Sequence, residues 1–264
     1  MQLIDIGANL THDSFDRDRD DVIRRARDSG VCRMILTGAS IQGSQDALAL
    51  AESHPALMSA TAGVHPHHAT EYSEDVHQLL RDLAAREVVV AVGECGLDYF
   101  RDFSPRDAQR YAFERQLELA AETRLPLFLH QRDAHGDFVE ILEPRLGDLS
   151  HAVAHCFTGD EDQLRKYIDM GLHIGITGWI CDERRGTHLK EIVHLIPDDR
   201  LMLETDAPYL LPRTLSPKPS SRRNEPAFLP EVLRVVAAAR GQSMEALAAL
   251  TTATANRFFN LHDR

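Results

Sequence analysis

Long apolar runs are missing from this chain. No stretch approaches the roughly 18 residues that a bilayer span requires, and the opening MQLIDIGANL carries no basic start ahead of an apolar segment. The expectation is a cytoplasmic protein without leader or span. Cysteine is scarce too: Cys32, Cys95, Cys156 and Cys181 stand far apart with no CxxC pair. Neither a zinc knuckle nor a disulfide framework is expected, and buried free thiols are the simplest account. Neither GxGxxG nor GxxxxGK[ST] follows the first apolar run, which argues against the nucleotide-binding folds. Cationic charge is in deficit, with 29 Lys and Arg against 41 Asp and Glu and a formal net charge of -12. A chain of this sign repels nucleic acid over most of its surface. Heptads, low-complexity linkers and self-similar repeats are also wanting, so a monomer with no obligate protein partner is the default.

What remains is an ordinary soluble composition, 43% hydrophobic and 27% charged over 264 residues, ample for a sizeable core. Short aliphatic runs alternate with amphipathic stretches. The runs are LIDIG (3 to 7), RMILTG (33 to 38), LMSATAGV (57 to 64), VVVAVGECG (88 to 96), LPLFLH (125 to 130), HAVAHCF (151 to 157), LHIGITG (172 to 178) and LMLETD (201 to 206). Between them, EDVHQLLRDLAAR places Val76, Leu79, Leu80, Leu83 and Ala84 on one helical face, while Gly30 and Gly171 supply stops for the helices before them. Eight strand-helix repeats predict a parallel α/β fold, a (β/α)8 TIM barrel, with residues 1–264 as one domain.

In such a barrel the chemistry sits at the C-terminal ends of the strands. The polar residues closing the apolar runs are Asp5 and Asn9, His65, Glu94, His130, His155, and Glu204 with Asp206. Any one of these has a bland explanation: His130 alone is as easily a structural residue, Glu94 could pair with Arg132, and Asp206 could cap a turn. Their joint occurrence at successive strand ends describes a divalent-metal site, since unpartnered carboxylates and imidazoles are costly to bury. Strand alternation turns Cys95 and Cys156 away from it. His54, His77, His151, His173, His188 and His194 read as solvated or structural; His67, His68 and His135 lie in loops near the mouth with no role fixed by the pattern.

The segments GVHPH (63 to 67), VGECGLDY (92 to 99), FLHQRDAH (128 to 135), HCFTG (155 to 159), GITGWICDERRG (175 to 186) and ETDAPYLLPRTLSPKPSSRRNEP (204 to 226) resemble the TatD family of metal-dependent nucleases, over about residues 3 to 259. The resemblance implies that Glu94, His130, His155 and Asp206 occupy metal-binding positions, with magnesium the usual cation; the mixed donors would suit manganese or zinc at least as well. It also implies a 3'-to-5' exonuclease on single-stranded DNA or RNA, engaging a strand's 3' end, with a part in DNA repair or nucleic-acid turnover. One departure stands out. Where most members open strand one with a His-x-His pair, this chain has Gly7 and Asn9, which narrows the resemblance to the bacterial member that gives the family its name.

The expected chemistry is phosphodiester hydrolysis by a metal-activated water. Glu94 and Asp206 serve as catalytic ligands, Asp206 also as base, with His65 orienting the phosphate or assisting the leaving oxygen and Glu204 supporting from behind. The stretch PRTLSPKPSSRRNEP (212 to 226) then gains a purpose: it gathers Arg213, Lys218, Arg222 and Arg223 beside the ligand-bearing ETDAP. Arg222, Arg223, Lys218 and Arg132 are the candidate phosphate contacts. Arg184 and Arg185 could assist unless Asp182 and Glu183 neutralise them, and Trp179 could stack on a base. Two rivals remain: a metal-dependent ester or amide hydrolase, such as an aminoacyl-tRNA deacylase, and a non-catalytic nucleic-acid-binding protein.

Overall fold

Eight parallel strands alternate with helices in a computed structural model, which describes residues 1–261. The order is β1 (Leu3–Ala8), α1 (Arg19–Asp28), β2 (Val31–Leu36), α2 (Ile41–Ser53), β3 (Met58–Ala62), α3 (Glu74–Ala84), β4 (Val89–Asp98), α4 (Arg106–Thr123), β5 (Leu127–Arg132), α5 (His135–Leu142), β6 (Ala152–Ala154), α6 (Glu161–Asp169), β7 (His173–Ile176), α7 (Thr187–Ile192), β8 (Leu201–Leu203), α8 (Leu229–Arg240) and α9 (Met244–Phe259). The strands follow sequence order within one sheet, and a parallel bridge joins Ala8 to Ala207. This is the (β/α)8 barrel class expected from eight repeats. Among the described residues no helix is long and apolar enough to cross a membrane.

The local signals explain the boundaries. Ser73 caps α3 by accepting the Val76 N–H, and Val76, Leu80 and Leu83 bury the apolar stripe, with Leu79 half-buried at its edge. Gly30 (φ 95°) and Gly171 (φ 82°) follow α1 and α6 in the left-handed region that ends a helix most cheaply at glycine. All ten positions of β4 are buried, as a parallel strand covered on both faces requires.

Strands β6 and β8 are shorter than their apolar runs suggest. His155, Glu204 and Asp206 therefore lie just past strand ends and not on them, and alternation does not set their directions. Positive φ at Cys156 (46°) and Asp206 (55°) turns the chain out of extended conformation, and the Thr205 N–H goes to the Asp5 side chain instead of a neighbouring strand. The cysteines also differ from expectation: Cys95 and Cys181 are buried, but Cys32 is exposed and Cys156 half-buried.

The residues cluster into two compact units. One comprises Met1–Leu36, Cys156–Ile168 and the chain from His173 onward; the other comprises Thr37–His155 with Asp169–Leu172. The first unit is organised on β1, β2, β7 and β8, with Ile6, Leu10, Phe15, Met34 and Phe259 among its fully buried side chains. The second is organised on β3 to β6, with Phe113, Phe128 and Phe138 fully buried; Phe113 and Phe138 stack with centroids 5.4 Å apart.

Candidate metal centre and its surroundings

The second unit brings four histidines around two buried carboxylates. Glu94 is the hub: its Oε1 lies 2.8 Å from His155 Nε2, 2.9 Å from His130 Nδ1 and 3.4 Å from His65 Nε2. Donor atoms of His65, Glu94 and His130 all fall within 4.8 Å of one another, close enough to share one cation.

Backbone bonds hold each of these in place. The Glu94 N–H donates to the Gly38 carbonyl and the His155 N–H to that of Leu129. The peptide between Gly93 and Glu94 is cis. Gln116, buried on α4, grips Val64 from both sides, accepting its N–H at 2.8 Å and donating to its carbonyl at 3.0 Å, so that His65 is delivered at a fixed point. The strands are packed too closely to admit side chains beside the hub: a Cβ at Gly63 would lie 2.5 Å from the Gly93 Cα, and one at Gly96 would overlap the His130 carbonyl.

A second carboxylate, Asp98, was not among the residues expected here. Its Oδ2 lies 2.8 Å from His67 Nε2 and 3.5 Å from His130 Nε2, while Oδ1 accepts the N–H groups of Phe100 and Arg101. Gln109, two helical turns before Gln116 on the same face of α4, clamps Asp98 by accepting its N–H and donating to its carbonyl. The sequence did contain the signal: Glu94, Gly96 and Asp98 share one side of β4 by alternation.

Burial alone would raise both acids. The surrounding imidazoles outweigh it, and Glu94, facing His155 and His65, is held well below the usual carboxylate range. Asp98 is likewise lowered by His130, His67 and the Arg101 N–H, against the burial that opposes them. Burial pushes His65 well below the ordinary histidine range, so it is neutral, whereas contacts with Asp98 and Glu94 overcome burial to raise His130.

These residues fit a divalent cation. His130 Nε2 is buried, aimed at Asp98 and without a hydrogen-bond partner, an arrangement that a coordinate bond satisfies. The imidazoles of His130 and His155 facing one carboxylate oxygen are a nitrogen-and-oxygen donor set that manganese, zinc and magnesium can each use. His65 is the exception within the group. Its Nδ1 already accepts the His67 N–H at 3.1 Å, so the neutral ring must carry its proton on Nε2. That atom is a donor aimed into the site.

The other expected residues lie in the first unit. Asp206 accepts from Asn9 Nδ2 at 3.1 Å and its N–H bonds Gly7, which accounts for Asn9 at that position. Glu204, fully buried, accepts the Cys156 N–H at 2.5 Å. Asp5 accepts from the Thr205 N–H and hydroxyl and from the Gly7 N–H, yet burial still pushes it up to about 7.

The basic loop divides sharply. The Arg223 fork is committed to Asp18 (2.7 and 2.8 Å) and Glu225 (2.9 Å), with its guanidinium over the Phe15 ring, so it braces the loop. Asp18 is correspondingly lowered to about 2. Arg213 pairs with Glu183, and Arg184 and Arg185 pair with Asp182, so the acidic neighbours do neutralise this patch. Arg185 also covers Trp179 at 4.2 Å. Arg222 and Lys218 are exposed and, among the described residues, make no ion pair. Arg132, in the second unit, lies over the Phe100 ring at 4.1 Å and not against Glu94.

Comparison with known proteins agrees in family and fold. Residues 4–260 match the model for TatD related DNase. A protein of Erwinia tasmaniensis named 3'-5' ssDNA/RNA exonuclease TatD is 55% identical over 98% of this chain and 100% of its own; one of the same name from Pantoea vagans is 54% identical with the same coverage. Among solved structures, the TatD homologue YJJV of Escherichia coli superposes with a TM-score of 0.88 at 28% identity, covering 98% of each chain.

Proposed function

The chain belongs to the family of TatD-related DNases, and from that premise we propose that it is a metal-dependent 3'-to-5' exonuclease acting on single-stranded DNA and RNA in the cytoplasm, in nucleic-acid repair or turnover. The observation that carries the chemistry is the Glu94 hub with its three imidazoles and the orphaned His130 Nε2. The substrate rests on relatives more than 50% identical over almost the whole chain.

In this reading Glu94, His130 and His155 would hold the cation, which we take to be magnesium; Asp206 is read as a further ligand from the ETDAPYL motif alone. A divalent cation supplies Lewis acidity toward the phosphate and lowers the pKa of a water. The protein's own groups do the rest. His65 directs its Nε2–H at a non-bridging phosphate oxygen, held in that tautomer by the His67 backbone. Asp98 orients His67 through its Nε2 atom. Asp206 takes the proton from the attacking water. Arg222 and Lys218 meet the strand's phosphates, while Arg223 fixes the loop that bears them.

A 5'-labelled single strand tests the reading. With magnesium the wild-type enzyme should yield a ladder shortening from the 3' end; chelator or Glu94→Gln should leave the strand intact. A substrate untouched with magnesium, manganese and zinc, but turnover of an ester or amide, would overturn it.

A further inference from the structure

Between β4 and α4 the chain reads Tyr99-Phe100-Arg101-Asp102-Phe103-Ser104, and its backbone is fixed from beneath. Asp98 takes the N–H groups of Phe100 and Arg101, Gln109 donates to the Ser104 carbonyl, and the Ser104 hydroxyl donates to that of His67. A loop so well anchored could have turned its rings inward. Phe100 and Phe103 are instead 54% and 67% exposed. Apolar groups of this size left in water beside a catalytic centre mark a binding surface.

The surroundings say what binds. Phe103 lies against His67 with ring centroids 4.7 Å apart, and His67 in turn contacts Asp98, so the aromatic faces begin one residue away from the metal-holding cluster. Phe100 is flanked by cations, with the Arg132 guanidinium 4.1 Å and that of Arg101 5.7 Å from its centroid. Flat apolar rings interleaved with guanidinium groups match a chain of alternating bases and phosphates. The same rings could not reach bases stacked inside a duplex.

We propose that Phe100 and Phe103 form a stacking platform for the bases next to the scissile phosphate, with Arg132 and Arg101 meeting the intervening phosphates. The platform rests on the single-strand nuclease reading and deepens it: it makes single-strandedness a requirement of the subsite, and it tolerates any base, because every base has a flat face.

The test pairs a protein change with a substrate change. Phe103→Ala should lower kcat/KM on an oligothymidylate about tenfold, within the range of one lost stacking contact, and Phe103→Trp, which keeps a ring, should recover most of that loss. On the same oligomer carrying abasic sugars next to its 3' nucleotide, wild type and Phe103→Ala should converge. An equal loss on both substrates would mean that Phe103 only supports the fold of the loop, and would overturn the proposal. The failure of the nuclease reading looks different: wild type would then be inactive on every strand. In that event the fluorescence of Phe103→Trp, corrected for Trp179 and read in chelator, still decides. Quenching by oligothymidylate but not by the abasic oligomer or a duplex supports the platform; no change overturns it.

Discussion

Glu94 and Asp5 are both buried acids held by several donors, and the protein treats them in opposite ways. The donors to Asp5 are a hydroxyl and backbone N–H groups, none charged, and burial wins, with the neighbouring acid Glu204 adding to it: its carboxyl is pushed up to about 7. Glu94 is just as deeply enclosed, but its partners are imidazoles that can themselves take up charge, and it stays well below the usual range. Hydrogen bonds to neutral donors moderate the desolvation of a carboxylate, whereas groups able to become cationic reverse it. A site that must present a carboxylate to a cation needs the second environment. The first holds a turn together.

The sharpest way to break this contrast is to neutralise the hub. Glu94→Gln should reduce exonuclease activity by well over about a hundredfold, beyond the range typical of residues behind a ligand, and titration calorimetry with manganese should show the matching loss of affinity. Asp98→Asn, which removes the charge opposite His130 and His67 but keeps the shape, should fall within about 10- to 100-fold in metal affinity or activity.

Asp5 sharpens the comparison through stability. Its folded pKa of about 7 stands above the ordinary 3.8, so its contribution is fully present below pH 3.8 and is lost as pH rises through 7. The whole effect is of order 4 kcal/mol. Denaturant unfolding between pH 4 and 8 should therefore show wild type losing more stability than Asp5→Asn as pH rises. Glu94 and Asp98, both depressed, act with the opposite sign, losing their contribution as pH falls through their lowered folded values. The smallest effect concerns the loop. Arg222→Ala should lower the slope of log affinity against log salt for single strands by about one. Arg223→Ala should act mainly on thermal stability, because its partners Asp18 and Glu225 lose their counter-charge.

Much of this was legible in the residues. Eight apolar runs gave eight strands, because the interior of a parallel sheet tolerates little else, and Glu94, His130 and His155, polar residues within those runs, come together in the structure. Asp98 escaped because GLDYF reads as the start of a loop, although the two-residue alternation from Glu94 reaches it. The role of Arg223 could not be read: its partner Asp18 stands 205 positions earlier, in an acid-rich run with several equivalent candidates. The donor state of His65 was also hidden, since a backbone N–H two residues on decides which ring nitrogen keeps the proton.

The close approach of the strands around the hub has a consequence for how this site can change by descent. A side chain facing into this site can be exchanged with the backbone left in place. Gly63, Gly93 and Gly96 cannot be, because each faces backbone atoms of a neighbouring strand that no rotamer can move aside. The spacing between the acid and its imidazoles is written in atoms the chain leaves out. Lineages that diversify from this scaffold are free to rewrite the ligands while inheriting the gap that holds them.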